Sequence, residues 1–500
     1  MRIQKKAVAL VLVFIFTIAG MLPVAADSPY LGYTFNFWRD MVPAPVAYVA
    51  TRSITAADIY VCANTFPDVT LGSFSRASDI FVDSNYIIYV VDTGNNRIVA
   101  FDQNLNLLRI INSFEVGGEA HTFNSPGGIF VCDNLNIHIA DTENNRIVTL
   151  DYDGNFIRMI YDLDMGDIED EVIFRPDRIA VDRAGRTYAV VTGVFEGIMR
   201  FDEHGNFFGY MGTITVRASA ADLFWRRLAT EAQRENQRRF IPTEFSGICI
   251  DNYGFVFATH ADVHGGGDQV MRLNPRGNNV IRNFNENTNL SGDQRAHFHG
   301  RGAGPSVFID VVTRPNGMYS VLDRTMNRVF TYDSEGNLLY VFGGDGEVMG
   351  TMRLPVALCA LGDSILVLDG ARGRIVQYSP TIYGMLINEA VGLRYHGNEA
   401  GSVEVWQQIM LINEFNTLAL TGIGRAHLLE GNYNMAMDYL RRGMDLRYYS
   451  FALVRRRQVF VDTYLSYFLT GLLVVAVALA GRSVYKNVKG LNARGEEAYD

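Results

Sequence analysis

The chain is short of several things, and each shortage closes off a class of protein. It holds 4 cysteines and 13 prolines in 500 residues and has no low-complexity tract. Disulfide-dense scaffolds, collagen-like chains and disordered chains are thereby left out. Positive charge is short too: 44 Lys and Arg stand against 54 Asp and Glu, a net charge of -10. Nucleic-acid binding rests on neutralising phosphates with clustered cations, so no nucleic-acid partner is expected. What remains, 48% hydrophobic and 20% charged residues, is a globular composition. Its length exceeds one ordinary core and implies a large repeat-built domain or two to three domains.

Two apolar runs stand near the ends. MRIQKK is followed by AVALVLVFIFTIAGML and then PVAA, a basic start, an apolar core and small residues before Asp27. This reads as a secretory signal over residues 1–26, cleaved after Ala26; the alternative is an uncleaved anchor, and both export the rest of the chain. Residues 459–480, VFVDTYLSYFLTGLLVVAVALA, carry one charge, Asp462. At about 1.5 Å per residue such a helix spans a hydrocarbon core of roughly 30 Å. Arg455, Arg456 and Arg457 before it nearly balance Arg482, Lys486, Lys489 and Arg494 after it, so flanking charge leaves the orientation open. The signal segment sets it: a single-pass protein of the cell membrane, residues up to 458 extracytoplasmic and 481–500 a cytoplasmic tail.

A repeat organises the chain between the two runs. Aligned on Asp92, six segments match: YIIYVVDTGNNRIVAFD, NIHIADTENNRIVTLD, RTYAVVTGVFEGIMRFD, FVFATHADVHGGGDQVMRLN, GMYSVLDRTMNRVFTYD and DSILVLDGARGRIVQYS. The anchors are Asp92, Asp141, Val191, His260, Asp323 and Asp369; four units keep Asp there and an arginine five residues on, Arg97, Arg146, Arg328 and Arg374. Three of those four carry a further Asp, at 102, 151 and 333. Each unit has an apolar run upstream, such as DIFVD or GIFVC, and five have another downstream, such as LLRII or FIRMI. Runs of four to six alternating residues broken by Gly turns give four antiparallel strands per unit. A period of about fifty residues is that of propeller blades.

The GNNRIVAFD and ENNRIVTLD segments, each after a strand ending in Asp, resemble the NHL-repeat family of six-bladed β-propellers. The resemblance covers residues 70 to 380 and fades in units 3 and 4. It implies a mainly β fold over residues 27–382. The last unit lacks an outermost strand, and residues 37–55 have the aromatic and β-branched content to supply it, hiding an open sheet edge. The motif itself reads as bracing: Asp accepts backbone N–H groups of its turn, Asn tolerates left-handed backbone, and Arg pairs with an acid. Cys132, Cys249 and Cys359 fall on equivalent strands of separate units and Cys62 lies apart, too far to bridge, so they read as small hydrophobes.

Function is expected where the motif is lost. Units 3 and 4 carry TGVFEG (192–197) and ADVHGGGD (261–268) in place of the NNR turn. Between them residues 218–240 read as an inserted helix, with Trp225 beside Arg226 and Arg227, either a cover on the ring or a recognition element for an anionic or aromatic partner. His260 and His264 of unit 4 and His297 and His299 of the following connection form the candidate ligand cluster, read as solvated loop residues, with metal ligation the alternative. Some propellers of this shape are lactonases that hold a metal over the central channel. The strand mouths here begin with Asp79, Gly127, Asp177 with Arg178, Ser246, Ser306 and Pro355, and two carboxylates are thin for such a cage.

After Tyr378 the period becomes helical. In 418–446, Leu420, Ile423, Gly424, His427, Gly431, Tyr433, Ala436 and Leu440 are placed much as in a tetratricopeptide unit, and 388–416 is a plausible earlier one, giving a helical neck over 383–457. The expectation is a membrane-anchored, non-catalytic platform for a protein or carbohydrate partner, needing no cofactor and serving a membrane complex such as a transporter. The alternative is a metal-dependent lactonase or lyase.

Overall fold

In the computed structural model of the protein the described residues are 28–36, 38, 40–58, 71–161, 173–213, 244–260, 269–281, 292–293 and 305–496. The expected signal segment, the insert 218–240 and the loops 261–268 and 296–304 lie outside them. The chain forms two compact units, one running to Met385 and the other taking Phe35–Val42 and the chain from Leu386.

The first unit is a six-bladed β-propeller. Its innermost strands are Asp79–Val82, Gly128–Val131, Pro176–Val181, Phe245–Ile250, Phe308–Thr313 and Pro355–Leu361, in blades 1 to 6. Antiparallel partners follow outward, four strands in each blade except the fourth, where the described residues supply three. The second strands Ile88–Asp92, Ile137–Asp141, Thr187–Val191, Val256–His260 and Tyr319–Asp323 are buried at every residue. Apolar and polar residues therefore do not alternate there as the sequence pattern implied. A blade has a neighbour on each face, so both sides of its second strand are interior.

The apolar clusters accordingly lie between blades. Val90 and Val99 of blade 1 pack with Leu366 and Leu368 of blade 6, while Tyr89 and Val91 pack with Ile137 and Val148 of blade 2. Each such side chain contributes about 1.5–3 kcal/mol on burial. One hairpin escapes the repeat: Ser113–Val116 pairs with Glu119–Thr122 across Gly117 and Gly118, both at positive φ. It puts Phe114 against Phe123 and Phe156, with the Arg146 guanidinium over its ring. The Gly-Gly turn was a hairpin signal that the repeat alignment absorbed into a connection.

Blade 6 takes its outermost strand from far upstream. Tyr48–Thr55 pairs with Arg374–Pro380, Thr55 opposite Arg374 and Tyr48 opposite Pro380. Tyr48 is fully buried, its ring 4.9 Å from Phe342 and 5.1 Å from Tyr340 of blade 5. Its hydroxyl accepts from Arg314 Nη2 (2.7 Å) and donates to the Asp363 carbonyl (3.0 Å), while Arg314 Nη1 donates to Tyr340 (2.7 Å). A buried guanidinium thus fastens the closing strand to the preceding blade.

The second unit is helical. Its helices are α1 (Ile382–Tyr395, which begins in the first unit), α2 (Glu399–Ile412), α3 (Thr417–Leu429), α4 (Tyr433–Arg442) and α5 (Leu446–Glu496). Asn398 and Asn416 cap α2 and α3 by accepting the N–H of Gly401 and Ala419. Glycines set the close crossings: a Cβ at Gly422 would lie 2.5 Å from Trp406 Nε1, and one at Gly424 2.7 Å from Leu440 Cγ. Helix α5 is 51 residues long and, within Leu446–Val488, is long and apolar enough to cross a membrane; its apolar stretch is not buried by the described residues.

Candidate functional site

The repeated motif is consumed by the fold. Asp92 and Asp141 are wholly buried at the ends of second strands. Asp92 accepts the backbone N–H of Ser75 (2.7 Å), Asn95 Nδ2 (2.8 Å) and Arg97 Nε (2.7 Å). Asp141 does the same with Asn124 (2.8 Å), Asn144 (2.9 Å) and Arg146 (2.7 Å). Arg97 and Arg146 then donate to the carbonyls of Leu71 (3.2 Å) and Thr122 (2.9 Å). Each motif so ties its turn to the chain entering its own blade. The following threonine reaches the next blade: Thr93 donates to the Pro126 carbonyl (2.8 Å) and Thr142 to that of Pro176 (2.7 Å). Asn96, Asn145 and Asn327 each sit at φ 53, the left-handed region that asparagine tolerates.

Blades 5 and 6 vary the theme. Asp369 accepts from the N–H groups of Arg353 and Leu354 (both 3.1 Å), with Arg374 Nε at 3.5 Å. Asp323 accepts from those of Val307 and Thr325 (both 2.9 Å), and Arg328 pairs instead with Asp293 at 3.2 Å. No lysine occurs between residues 7 and 485, so the cations of these braces are all arginine, whose planar fork serves a carboxylate and a carbonyl together.

A second polar constellation lies on the propeller axis. Register places Asp79, Gly128, Arg178, Gly247, Asp310 and Ala357 at one level, opposite Val91, Ala140, Val190, Thr259, Leu322 and Leu368 of the second strands. Odd blades give the charged residues and even blades the small ones. Packing demands this: a Cβ at Gly128 would lie 2.5 Å from the Asp177 carbonyl oxygen, and one at Gly247 2.7 Å from Asp310 Oδ1. From blade 3, Arg178 donates through Nη1 to Gly127 (2.9 Å) and through Nη2 to Ser78 (2.8 Å) and Val356 (3.4 Å), all carbonyls, and lies 3.6 Å from Asp79. Asp79 accepts the Ile129 N–H (3.0 Å) and Asp310 that of Leu358 (2.8 Å). Each axial side chain therefore holds a blade other than its own.

Counting strand mouths from sequence missed Asp310. In blades 3 to 6 a bulge after the first residue of the inner strand resets which side chain faces the axis, and no period along the chain announces it. Burial pushes the Asp310 carboxyl up to about 7, against the pull of Arg178, and Asp79 is raised for the same reasons. Folded Asp310 thus keeps a proton that the unfolded chain releases near the ordinary carboxylate pKa. Its stability contribution is full below that value and is lost as pH rises through about 7, each tenfold difference in proton affinity between the folded and unfolded chain being worth about 1.4 kcal/mol. Melting of the full chain should accordingly come at a lower temperature at pH 8 than at pH 5, and Asp310→Asn should flatten the dependence. Asp323, raised by burial to about 6, supplies a residual slope. An Asp310→Asn profile parallel to that of the parent refutes this assignment.

The candidate histidines are divided by the structure. His260 is not a solvated loop residue: it ends the second strand of blade 4, 2% exposed, its ring edge-on to Phe245 at 6.2 Å. It fills the position Asp92 holds in blade 1, an interior one, with Phe245 of the innermost strand against its ring and its backbone N–H donating to the Gln269 carbonyl. His264, His297 and His299, and likewise Trp225, Arg226 and Arg227, lie outside the described residues. Among the described residues no three His, Cys, Asp or Glu are grouped to hold a metal. The altered turn of blade 3 is held by backbone and by its neighbour: Thr192 N–H donates to the Arg175 carbonyl (3.0 Å) and Gly193 N–H to Glu244 Oε1 (3.1 Å). Cys132, Cys249 and Cys359 are free, and burial raises all three thiols, Cys132 to about 12, so they are poor nucleophiles.

No protein-family model and no curated protein matches the chain. Among solved structures, virginiamycin B lyase from Staphylococcus aureus, in selenomethionine form, is similar at 12% identity over 70% of this chain and 87% of its own, with a TM-score of 0.36. A streptogramin B lyase is similar at 12% identity over 70% and 86%, TM-score 0.35. A structural genomics protein of unknown function from Bacteroides thetaiotaomicron is similar at 10% identity over 68% and 80%, TM-score 0.41. Likeness at this level leaves the chemistry of the chain to be read from its own residues.

Proposed function

We propose that the protein is a membrane-anchored, extracytoplasmic binding platform: an NHL-like propeller carried on a tetratricopeptide-like neck, presenting loops of blades 3 and 4 to a protein or carbohydrate partner, as an accessory of a membrane complex such as a transporter. One observation carries the non-catalytic part. The titratable side chains at the propeller axis, Asp79, Arg178 and Asp310, are taken up by backbone groups of neighbouring blades, so the place where a propeller enzyme would keep its reactive groups is occupied by internal fastening. The anchor rests on α5, whose apolar stretch the described residues do not cover.

Two measurements test the reading. The full chain should sediment with membranes, resist release by salt and alkaline carbonate, and become soluble when 459–480 is deleted; protease added outside intact cells should remove the propeller. Metal analysis of the detergent-purified chain should show no stoichiometric zinc or calcium. Metal that is stoichiometric in the parent and lost in His264→Ala, His297→Ala or His299→Ala would sink the platform in favour of a metal-dependent lactonase or lyase.

A further inference from the structure

The neck ends very close to where the membrane must begin. Helices α4 and α5 run antiparallel, and Arg456 Nη1 donates to Asn434 Oδ1 at 3.3 Å, which fixes Arg456 level with the turn between α3 and α4. Ala452 is the last fully buried residue of α5, and from Val454 to Val488 every side chain is exposed. Val459 lies seven positions beyond Ala452, about 10 Å of helix. The headgroup layer on each side of a hydrocarbon core is roughly 5–8 Å deep. An apolar stretch entering the core at Val459 therefore leaves no room for a water-filled gap beneath the neck.

The residues at this level suit that position. Arg455, Arg456 and Arg457 are successive on the helix, so they point over about 200° of its circumference, and none is in an ion pair among the described residues. On the adjoining turn Leu429 is 73% and Met435 50% exposed. The acid there, Glu430, is engaged by His427 (3.2 Å) and Asn432 (3.0 Å). Guanidinium groups bind phosphate in bidentate fashion, and apolar side chains beside them reach past the phosphates.

We propose that the turn 429–435 and the collar Arg455, Arg456 and Arg457 form a seat on the bilayer surface: the arginines bind phosphates of anionic lipids, and Leu429 and Met435 dip below them. The seat rests on α5 crossing the bilayer, and its test separates the two ideas. A photoreactive benzoylphenylalanine replaces Leu429, Leu411 at the opposite end of the bundle, or Phe460 inside the apolar stretch, in the full chain in vesicles of phosphatidylcholine with or without phosphatidylglycerol. Lipid adducts are expected at 460 and 429 but not at 411. Adduct yield at 429 should fall roughly threefold without phosphatidylglycerol, in high salt, or in the triple variant Arg455→Gln, Arg456→Gln, Arg457→Gln. Adducts at 460 with none at 429 overturn the seat and leave the anchor standing. No adduct at 460 removes both. Yield at 429 indifferent to lipid charge and to the arginines overturns the role given to the collar.

Discussion

Replacing Arg178 by methionine is expected to destabilise the propeller by about 3–5 kcal/mol, the range for stripping one partner from a buried ionic cluster. That is a large share of the roughly 5–15 kcal/mol that holds a domain folded. The carbonyls of Ser78 and Val356 lose the guanidinium, that of Gly127 keeps only the Ser78 hydroxyl, and the cation close to Asp79 is gone. The deficit, read by urea unfolding of the detergent-purified chain, should shrink as pH falls, because protonating Asp79 and Asp310 removes the uncompensated charge. Arg178→Lys keeps the charge without the fork that reaches three blades and should restore less than half of the loss. A cost for Arg178→Met below about 1 kcal/mol at pH 8, typical of an exposed pair, would mean that the axial ions do not fasten the ring and are available to a ligand.

The closing strand gives the second large effect. Tyr48→Ala should cost about 3–5 kcal/mol, as for other buried aromatic side chains cut to alanine, because its ring fills the space beside Tyr340 and Phe342. Tyr48→Phe keeps the ring and removes one of the two acceptors of Arg314 Nη2, leaving the Asp363 carbonyl at 3.3 Å, at a cost of about 1–3 kcal/mol for a buried polar group left short of a partner. Since hydroxyl and guanidinium act as one contact, Tyr48→Phe combined with Arg314→Met should cost clearly less than the two changes added. Strict additivity in the same unfolding assay would show that the hydroxyl and the guanidinium do not act as one contact and that the strand is held by its backbone pairing and packing.

Much of this architecture is written along the chain. The six aligned segments give the blade count, and in blades 1 and 2 the Asp and Asn of the motif act within a few residues of one another, as Asp92 does with Asn95 and Arg97. The apolar stretch near the carboxyl end is legible for the same reason, since length and composition suffice to mark a helix able to cross a bilayer. The candidate site was less legible. His260 reads from its neighbours as a loop histidine and is an interior one, because the residues that cover it belong to other strands. Asp310 carries no motif, and a bulge decides that it faces the axis.

By itself, then, the sequence determined the repeat, the turns and braces that each repeat closes on itself, and the apolar helix, all of which depend on residues a few positions apart. Only the tertiary structure decided how the ring is fastened. Arg178 finds Ser78 a hundred residues away, Asp310 finds Leu358, and Tyr48 finds Arg314 across most of the chain. Such pairs obey no period, because whether a charged residue is bonded in the interior or left on a surface is settled by which distant backbone comes to lie beside it.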